Sequence, residues 1–505
     1  MTSEKKADAG SQFGDMPVEE FRRYGQQLID WAADYMANVE QYPVLSQVSP
    51  GDITAKLPPN APALPESMEQ VFADIDRVVM PGITHWNHPS FHAYFSISAS
   101  APGILADLLS STLNVNAMLW KTSPVATELE TVTLNWLRQM IGLPEEFEGV
   151  IYDTSSVATM HAIAAAREAL SLNIREEGMS GRADLPKLRL YTSEHSHSSV
   201  DKGSILVGIG QSGIRKIPVD AEFRMRPDAL EAAIDDDIAN GWLPFCVVAT
   251  IGTTSTTSVD PVSEIAEICK RNSLWLHIDA SYAGTAAIVP EYRHHFAGCE
   301  HADSFVVNPH KWLFTPFDLS AFYCRKMDVL KRAFSLVPEY LRTGQDDVAR
   351  NYMDYGIQLG RRFRSLKLWF ILRYFGSEGI ANRLREQMRM TRELVQWISD
   401  HPDFEMMAPA PFSLACFRFR PRQYTTRLAT AGDDEIAQME QEIDQLNERL
   451  MEAVNATGKM FISHTKLNGK FTLRFAIGNI KTTEDHIRQS WELLRSEARK
   501  VKSSE

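Results

Sequence analysis

The chain has 505 residues, which is enough for two to four domains of roughly 150 residues each and for a large buried core. Hydrophobic residues make up 44% and charged residues 23%, a composition that excludes a mostly disordered chain. The net charge of −13 disfavours binding to nucleic acid through the phosphate backbone. The 5 cysteines form no CxxC pair, so we predict neither a disulfide framework nor a metal site.

The N-terminal region gives no targeting signal. Its first twenty residues are polar, and residues 1–16 are predicted to be a disordered arm. No stretch of the sequence has the roughly 18 apolar residues that a membrane span needs. We therefore expect a cytoplasmic protein that binds neither membranes nor nucleic acid.

The first predicted element is an amphipathic helix that begins at Pro17. Its apolar side chains recur three and four residues apart, at Phe21, Tyr24, Leu28, Trp31, Tyr35 and Met36. Such a wide aromatic face needs a surface to cover. The sequence leaves open whether that surface belongs to the same chain or to a second subunit.

From about residue 100, short apolar runs alternate with helical stretches. The predicted strands are 149–152, 188–191, 245–249, 274–278 and 304–307, and the predicted helices include 158–170 and one from an Asp260 N-cap to Lys270. This alternation predicts an α/β fold with a mainly parallel sheet covered by helices. After about residue 380, a helix at 436–454 and alternating stretches at 414–419 and 470–476 predict a smaller α+β domain.

One nucleotide-binding motif is present but in the wrong setting. The stretch 208–213 fits the pattern GxGxxG, which requires a strand before it and a helix after it. Here the preceding residues look helical and the following residues look like a strand. We therefore predict a turn and no dinucleotide site.

The most informative residue for chemistry is Lys311, in the stretch Asn308-Pro-His-Lys-Trp312. A lysine between an imidazole and an indole is unusual for a solvated loop. Removal from water lowers the pKa of a lysine and frees its amine to attack a carbonyl carbon. The alternative is a surface lysine whose aliphatic stem covers apolar surface.

Further polar residues follow other predicted strands, at the edge where parallel sheets bind ligands. Asp279 could keep a pyridine nitrogen protonated, and Ser155 and Ser156 could present a helix N-terminus to a phosphate. Thr250 and His197 also come after strands. Each of these residues alone has a structural explanation such as helix capping, but together they predict a pyridoxal phosphate site.

These stretches resemble the pyridoxal-phosphate-dependent group II decarboxylases, specifically the aromatic L-amino-acid decarboxylases, from about residue 17 to about 495. The matching stretches are 84–86, 93–95, 123–124, 127–130, 197–200, 248–254, 279–284, 308–312 and 359–367. The resemblance implies a fold type I homodimer with active sites near the subunit interface. It further implies an N-terminal helical segment at 1–100 that wraps the partner, a large cofactor domain at 101–380 with a mobile catalytic loop at 336–358, and a small domain at 381–505.

The resemblance also assigns residue roles. Lys311 would form the Schiff base with the cofactor, Asp279 would pair with the pyridine nitrogen, and His197 would stack on the ring. The remaining cofactor contacts would be Ser155, Ser156, Thr250, Asn308 and His310, and the substrate pocket would include Trp86, Tyr94, Phe95, Met118 and Ser413. Tyr352 would be the loop acid that protonates the substrate carbon after carbon dioxide leaves.

The implied reaction converts an aromatic L-amino acid, of the tyrosine, dopa, phenylalanine or tryptophan type, into its amine and carbon dioxide. Some positions depart from the family pattern: Ser281 replaces an alanine, Ser96 replaces a common proline, and Met118 stands where many members place an aromatic ring from the partner subunit. In the family, serine at position 413 is associated with phenolic or imidazole substrates.

Three alternatives remain at this stage. The first is an oxygen-dependent aromatic aldehyde synthase on the same scaffold, a kind of member that commonly replaces the loop tyrosine or the stacking histidine. The presence of both Tyr352 and His197 favours the decarboxylase. A decarboxylase of an acidic amino acid and a cofactor-free scaffold protein are the other two.

Overall fold

The structure is a computed structural model that describes residues 14–336, 349–428 and 430–503. Most of the predicted N-terminal arm and part of the predicted loop 336–358 lie outside these residues. The helices are α1 Val18–Asn38, α2 Met68–Asp74, α3 Ala101–Leu113, α4 Pro124–Ile141, α5 Ser155–Glu168, α6 Ile174–Glu177, α7 Ser199–Leu206, α8 Pro227–Ala239, α9 Val262–Arg271, α10 Pro309–Trp312, α11 Met327–Phe334, α12 Ser365–Asp400, α13 Arg422–Leu428, α14 Asp433–Ala456 and α15 Glu484–Ser503. The strands are β1 Glu148–Tyr152, β2 Lys187–Ser193, β3 Ile214–Ile217, β4 Trp242–Thr250, β5 Trp275–Asp279, β6 Ser304–Val307, β7 Ser320–Cys324, β8 Phe404–Met406, β9 Leu414–Phe419, β10 Ser463–Leu467 and β11 Lys470–Ala476.

The larger sheet has seven strands in the order β1-β7-β6-β5-β4-β2-β3. The strands β3, β2, β4, β5 and β6 pair in parallel, which confirms the predicted mainly parallel α/β sheet. Strand β7 pairs antiparallel with both β6 and β1. The sequence analysis did not predict β7, because its short buried run SAFYC follows a loop instead of a helix.

Apolar side chains alternate between the two faces of this sheet. Val247 and Ile278 belong to one buried cluster, whereas Val248 and Val306 belong to a second cluster on the opposite face. Helices α4, α8 and α9 contribute to the first cluster, and α5, α7 and α11 contribute to the second. Burial on both faces explains why these strands are continuous apolar runs in the sequence.

Two local predictions had different outcomes. The GxGxxG stretch lies between α7 and β3, so it is a turn with helix and strand in the reverse of the nucleotide-binding order, as predicted. The prediction that Asp260 caps the following helix is wrong, because the N-cap of α9 is Pro261. The Asp260 carboxylate instead accepts hydrogen bonds from the backbone N–H groups of Met225 (2.7 Å) and Thr250 (2.8 Å).

The smaller sheet is antiparallel, in the order β10-β11-β9-β8, and it packs with α14 and α15 as the predicted α+β unit. The predicted boundary at residue 380 does not coincide with a linker, because α12 runs through it from Ser365 to Asp400. This helix is interrupted at Gly376, where φ is 64°. The small unit is therefore joined to the large one by a long helix with one break, and not by a loop.

The N-terminal helix α1 divides its aromatic face between two environments. Tyr24 is buried against Phe72, and the Tyr35 hydroxyl lies 2.8 Å from Nδ1 of His85, so part of the face covers the same chain. Phe21 and Leu28 are exposed. Across the described ranges, no helix is both long enough and apolar enough to span a membrane.

Candidate active site

The carboxyl ends of three neighbouring parallel strands bring the predicted cofactor residues together. Thr250 at the end of β4 lies opposite Asp279 at the end of β5, and Asp279 lies opposite Val306 near the end of β6. Asn308 follows β6, and its backbone N–H donates to the Ser281 carbonyl at 3.0 Å. The sheet topology thus produces the edge at which α/β proteins bind ligands.

Lys311 lies in the single turn α10 that follows this edge. Its backbone N–H donates to the Asn308 carbonyl at 2.9 Å, and its Nζ lies 5.7 Å from the centre of the Phe95 ring. Burial lowers the pKa of Lys311, and the negative charge of Asp279 opposes that shift. A lysine with a lowered pKa has a larger neutral fraction and is a better nucleophile, so the surface-lysine alternative does not describe this side chain.

Asp279 is buried, and one of its carboxylate oxygens is fully engaged. Oδ1 accepts a hydrogen bond from the Ser281 backbone N–H at 3.0 Å and a second, short one from the Ser281 hydroxyl. Oδ2 accepts no hydrogen bond from the residues that the structure describes. A buried carboxylate needs a partner for its charge, so the free oxygen is suited to a protonated ring nitrogen.

His197 completes an electrostatic triad with Lys311 and Asp279. Burial lowers the pKa of His197, the charge of Asp279 raises it, and the charge of Lys311 lowers it further. The backbone N–H of Ser199 donates to Nδ1 of His197 at 3.1 Å, so the proton of the neutral ring is on Nε2. His197 can therefore donate one hydrogen bond at neutral pH.

The opposite end of the site is the N-terminus of α5. Ser155 is its first residue, and its hydroxyl accepts a hydrogen bond from Nδ2 of Asn308 at 3.0 Å. Ser156 is exposed at the same end. The N-terminus of a helix of this length offers unpaired N–H groups and a positive dipole end to a phosphate.

The donor and acceptor set fits pyridoxal phosphate. Two buried atoms of the site, Thr250 Oγ1 and Asn308 Oδ1, have no hydrogen-bond partner among the described residues, although buried polar atoms are normally paired. Together with the free oxygen of Asp279 and the amine of Lys311, they provide partners for a polar aromatic group with an aldehyde. The helix N-terminus provides the place for its phosphate.

His310 is buried beside Lys311 and has a fixed orientation. The backbone N–H of Leu319 donates to its Nδ1 at 2.9 Å. Burial, with the charge of Lys311 as the next contribution, lowers the pKa of His310 to about 3. His310 is therefore a neutral residue that shapes the turn carrying Lys311.

The wall next to Lys311 is aromatic. Phe95 stacks on Tyr282 with ring centres 3.7 Å apart, and Tyr282 stacks on Trp312 at 4.8 Å. Two other predicted pocket residues, Trp86 and Tyr94, stack on each other at 5.8 Å. Of these side chains, Phe95 contacts the amine of Lys311. The described residues show no such contact for Trp86 or Tyr94.

Two other predicted pocket residues have their described contacts with neighbours of the aromatic wall or outside it. Ser413 is fully buried, and its hydroxyl makes a short hydrogen bond with that of Tyr282, which stacks on Phe95. Met118 packs with Leu119 and Met353 in a separate small cluster. No described contact within one chain joins either side chain to Lys311, and their place in the substrate pocket stays a prediction.

No described contact joins Tyr352 to Lys311 within one chain, and its role as the loop acid stays a prediction. The Tyr352 side chain is buried, its hydroxyl lies 2.9 Å from Oγ1 of Thr131, and its ring lies under Arg350 and Arg361. Burial raises its pKa, which makes proton release harder. Tyr352 anchors the C-terminal part of the stretch 336–358 to α4.

Two further features of the molecule were missed by the sequence analysis. Arg361 and Glu130 form a buried ion pair (2.6 Å) within stretches that were matched to the family but given no role. Arg474, on β11, lies 5.3 Å from the Phe95 ring, and its nitrogens donate to the carbonyls of Thr254 and Ser255 and to the Ser463 hydroxyl. Arg474 gave no local signal, because it joins the site from a distant sheet.

Comparison with known proteins identifies the family of the chain and its cofactor class. Residues 50–420 match the family model described as the pyridoxal-dependent decarboxylase conserved domain. The chain is 39% identical to a phenylacetaldehyde synthase of Arabidopsis thaliana, over 97% of this chain and 98% of that protein. It is also 39% identical to tryptophan decarboxylase 2 of Oryza sativa subsp. japonica, with 96% of both chains covered.

A solved structure extends the comparison to the fold. The crystal structure of Oryza sativa TDC with PLP and tryptamine aligns with a TM-score of 0.90 and 35% sequence identity, over 97% of this chain and 99% of the other. The fold type, the cofactor class and the family predicted from the sequence are thereby confirmed. The chain belongs to the family of pyridoxal-dependent decarboxylases.

Proposed function

We propose that this protein decarboxylates an aromatic L-amino acid to its amine and carbon dioxide. The observation that carries the proposal is the triad of Lys311, Asp279 and His197 at the carboxyl edge of the sheet, next to the aromatic wall formed by Phe95. When bound, pyridoxal phosphate supplies a reactive aldehyde and an electron sink for the bond that breaks.

The chain's own residues perform the other tasks. The amine of Lys311 would hold the cofactor at its aldehyde and would give up that place to the amine of the substrate. Asp279 would hold the protonated pyridine nitrogen through its free oxygen, and Ser155, Ser156, Thr250 and Asn308 would hold the phosphate and ring substituents. His197 would lie against the ring, with its Nε2–H available to the substrate carboxylate.

An aromatic substrate fits this site better than an acidic one. The amine of Lys311 lies against the ring of Phe95, which offers a ring face and no hydrogen-bond donor. Arg474, the other cation over the Phe95 ring, already donates to two carbonyls and a hydroxyl. Beside these described residues, an acidic side chain would therefore lose water without gaining a free charged partner.

The final proton comes from an acid in the stretch 336–358, as the family resemblance implies. This stretch has three tyrosines, Tyr340, Tyr352 and Tyr355. Tyr352 and Tyr355 belong to one anchored turn, in which the Tyr355 carbonyl accepts a hydrogen bond from Tyr152. Tyr340, which lies outside the described residues, is the remaining candidate.

The aldehyde synthase alternative is retained because a phenylacetaldehyde synthase is as similar to this chain as a tryptophan decarboxylase is. Both reactions begin with loss of carbon dioxide and differ in what reaches the resulting carbon, a proton or dioxygen. The presence of His197 and of a tyrosine other than Tyr352 in the loop stretch supports protonation and amine formation.

We further propose that the protein is a cytoplasmic homodimer. Exposed apolar side chains of α1 and α3, among them Phe21, Leu28, Leu105 and Leu108, provide a surface that a second copy would cover. Met118, which has no part in the site of its own chain, would reach the partner's pocket as the resemblance implies. The buried, unpaired thiols of all five cysteines fit a reducing compartment.

Incubation in air with a panel of aromatic and acidic L-amino acids tests the proposed reaction. We expect equal amounts of amine and carbon dioxide from at least one aromatic amino acid, with no oxygen uptake and no turnover of glutamate or aspartate. Aldehyde, ammonia and oxygen consumption as the main outcome would establish the synthase instead.

A further inference from the structure

We propose that Ser281 is a positioning residue that orients Asp279 toward the pyridine nitrogen of the cofactor. The inference rests on the proposed role of Asp279 and adds to it a residue-specific device. Ser281 is buried, and both its backbone N–H and its hydroxyl donate to the same oxygen of Asp279. The other carboxylate oxygen is thereby left to face the site.

The position of Ser281 in the site makes this orientation rigid. The Ser281 carbonyl accepts the backbone N–H of Asn308 at 3.0 Å, and the Asn308 carbonyl accepts that of Lys311 at 2.9 Å. The side chain of Asn308 in turn donates to Ser155 at the start of α5. Ser281 therefore ties Asp279 into the same backbone network that holds Lys311 and the helix N-terminus.

The hydroxyl bond is the part of this arrangement that the Ser281 side chain supplies. Alanine would keep the backbone bond to Asp279 and lose only the bond from the hydroxyl. A carboxylate held by one bond rotates more freely than one held by two, so more conformational freedom is lost when the cofactor binds. We therefore expect the Ser281 hydroxyl to strengthen cofactor binding, and to do so only when the cofactor has a pyridine nitrogen.

The test compares two cofactors on full-length apoenzyme prepared from the holoenzyme. One is pyridoxal phosphate, and the other is its analogue in which a CH group replaces the pyridine nitrogen. Their dissociation constants are measured by quenching of tryptophan fluorescence. Ser281→Ala should bind pyridoxal phosphate about tenfold more weakly, because hydrogen bonds to charged groups are the strong ones, and should bind the analogue as the wild type does.

Three controls make the result specific. Ser281→Thr keeps a hydroxyl and should restore wild-type affinity, whereas Ser204→Ala removes a buried hydroxyl that does not contact Asp279 and should change neither constant. Asp279→Asn should weaken the binding of pyridoxal phosphate and leave the binding of the analogue unchanged. Visible circular dichroism of the bound cofactor should change in Ser281→Ala and Asp279→Asn only.

Wild-type affinity of Ser281→Ala for pyridoxal phosphate, or equal weakening for both cofactors, would overturn the role of Ser281. If Asp279→Asn still discriminates between the cofactors in that case, the proposed role of Asp279 stands and only the inference about Ser281 fails. If Asp279→Asn binds both cofactors like the wild type, the assignment of Asp279 fails, and the inference about Ser281 fails with it.

Discussion

At the scale of single residues, burial changes the pKa values of side chains in the site. Lys311 is held with a lowered pKa, while the adjacent His310 has a pKa of about 3 and is neutral at every physiological pH. Burial also lowers the pKa of His197, whose Nδ1 accepts a hydrogen bond from the Ser199 N–H. Burial therefore shifts all three side chains toward their neutral forms.

The identity of the proton donor is testable at this scale by comparing two tyrosine variants in air. Tyr340→Phe should lose amine formation by about 10²–10⁴-fold and form aldehyde with oxygen uptake, because a general acid has been removed. Tyr352→Phe should keep amine formation and lose about 1 kcal/mol of stability, because only the hydrogen bond with Thr131 is removed. If only the Tyr352 variant formed aldehyde, Tyr352 and not Tyr340 would be the proton donor.

At the scale of elements, the sequence predicts the polar residues at the strand ends. It does not predict contacts between residues that are far apart in the chain. The apolar runs that became β5 and β6 are continuous, and the polar residues after them could be assigned to one sheet edge before the structure was known. The role of Tyr352 could not be fixed in this way, because a position in a sequence stretch does not show which way a ring points. Arg474 was missed because contacts between sheets leave no periodic pattern.

The buried ion pair between Glu130 on α4 and Arg361 connects several elements. Arg361 donates to both oxygens of Glu130 and to the Ile151 carbonyl on β1, and Glu130 accepts the Ile151 N–H. Arg361→Met should lower the free energy of unfolding by about 3–5 kcal/mol, because it leaves a buried carboxylate unpaired.

Chemical denaturation at one fixed protein concentration measures this effect, and Arg362→Met is the matched control. Arg362 pairs with Asp107 at 3.2 Å and is largely exposed, so its replacement should cost less than about 1 kcal/mol. Equal effects of the two variants would show that the Glu130 pair does not hold α4, β1 and residue 361 together.

At the scale of the whole molecule, the apolar surface of α1 and α3 is the feature that one chain leaves unexplained. Tyr24 and Tyr35 on α1 pack on their own chain, but Leu28 is 44% and Leu105 is 52% exposed. In the proposed dimer a second copy would cover these side chains, and the family resemblance implies that Met118 would reach the partner's site. The structure of one chain therefore contains most of the site, and the proposed dimer would complete its pocket.

Charge substitution on this surface tests the dimer. The double variant Leu28→Glu and Leu105→Glu should be monomeric in light scattering and should lose activity, because burying two carboxylates in an apolar interface is costly. Leu206→Glu, which adds a carboxylate at an exposed leucine on α7, should stay dimeric and active. A dimeric, active double variant would place the interface elsewhere.

The central claim is that Lys311 is the residue through which the cofactor acts, and it can be tested directly. The holoenzyme is reduced with borohydride, digested and analysed by mass spectrometry to locate the modified lysine. We predict one pyridoxyl-phosphate adduct, on Lys311, and none in Lys311→Ala. An adduct on another lysine, such as the buried Lys367, would contradict the assignment of the active site.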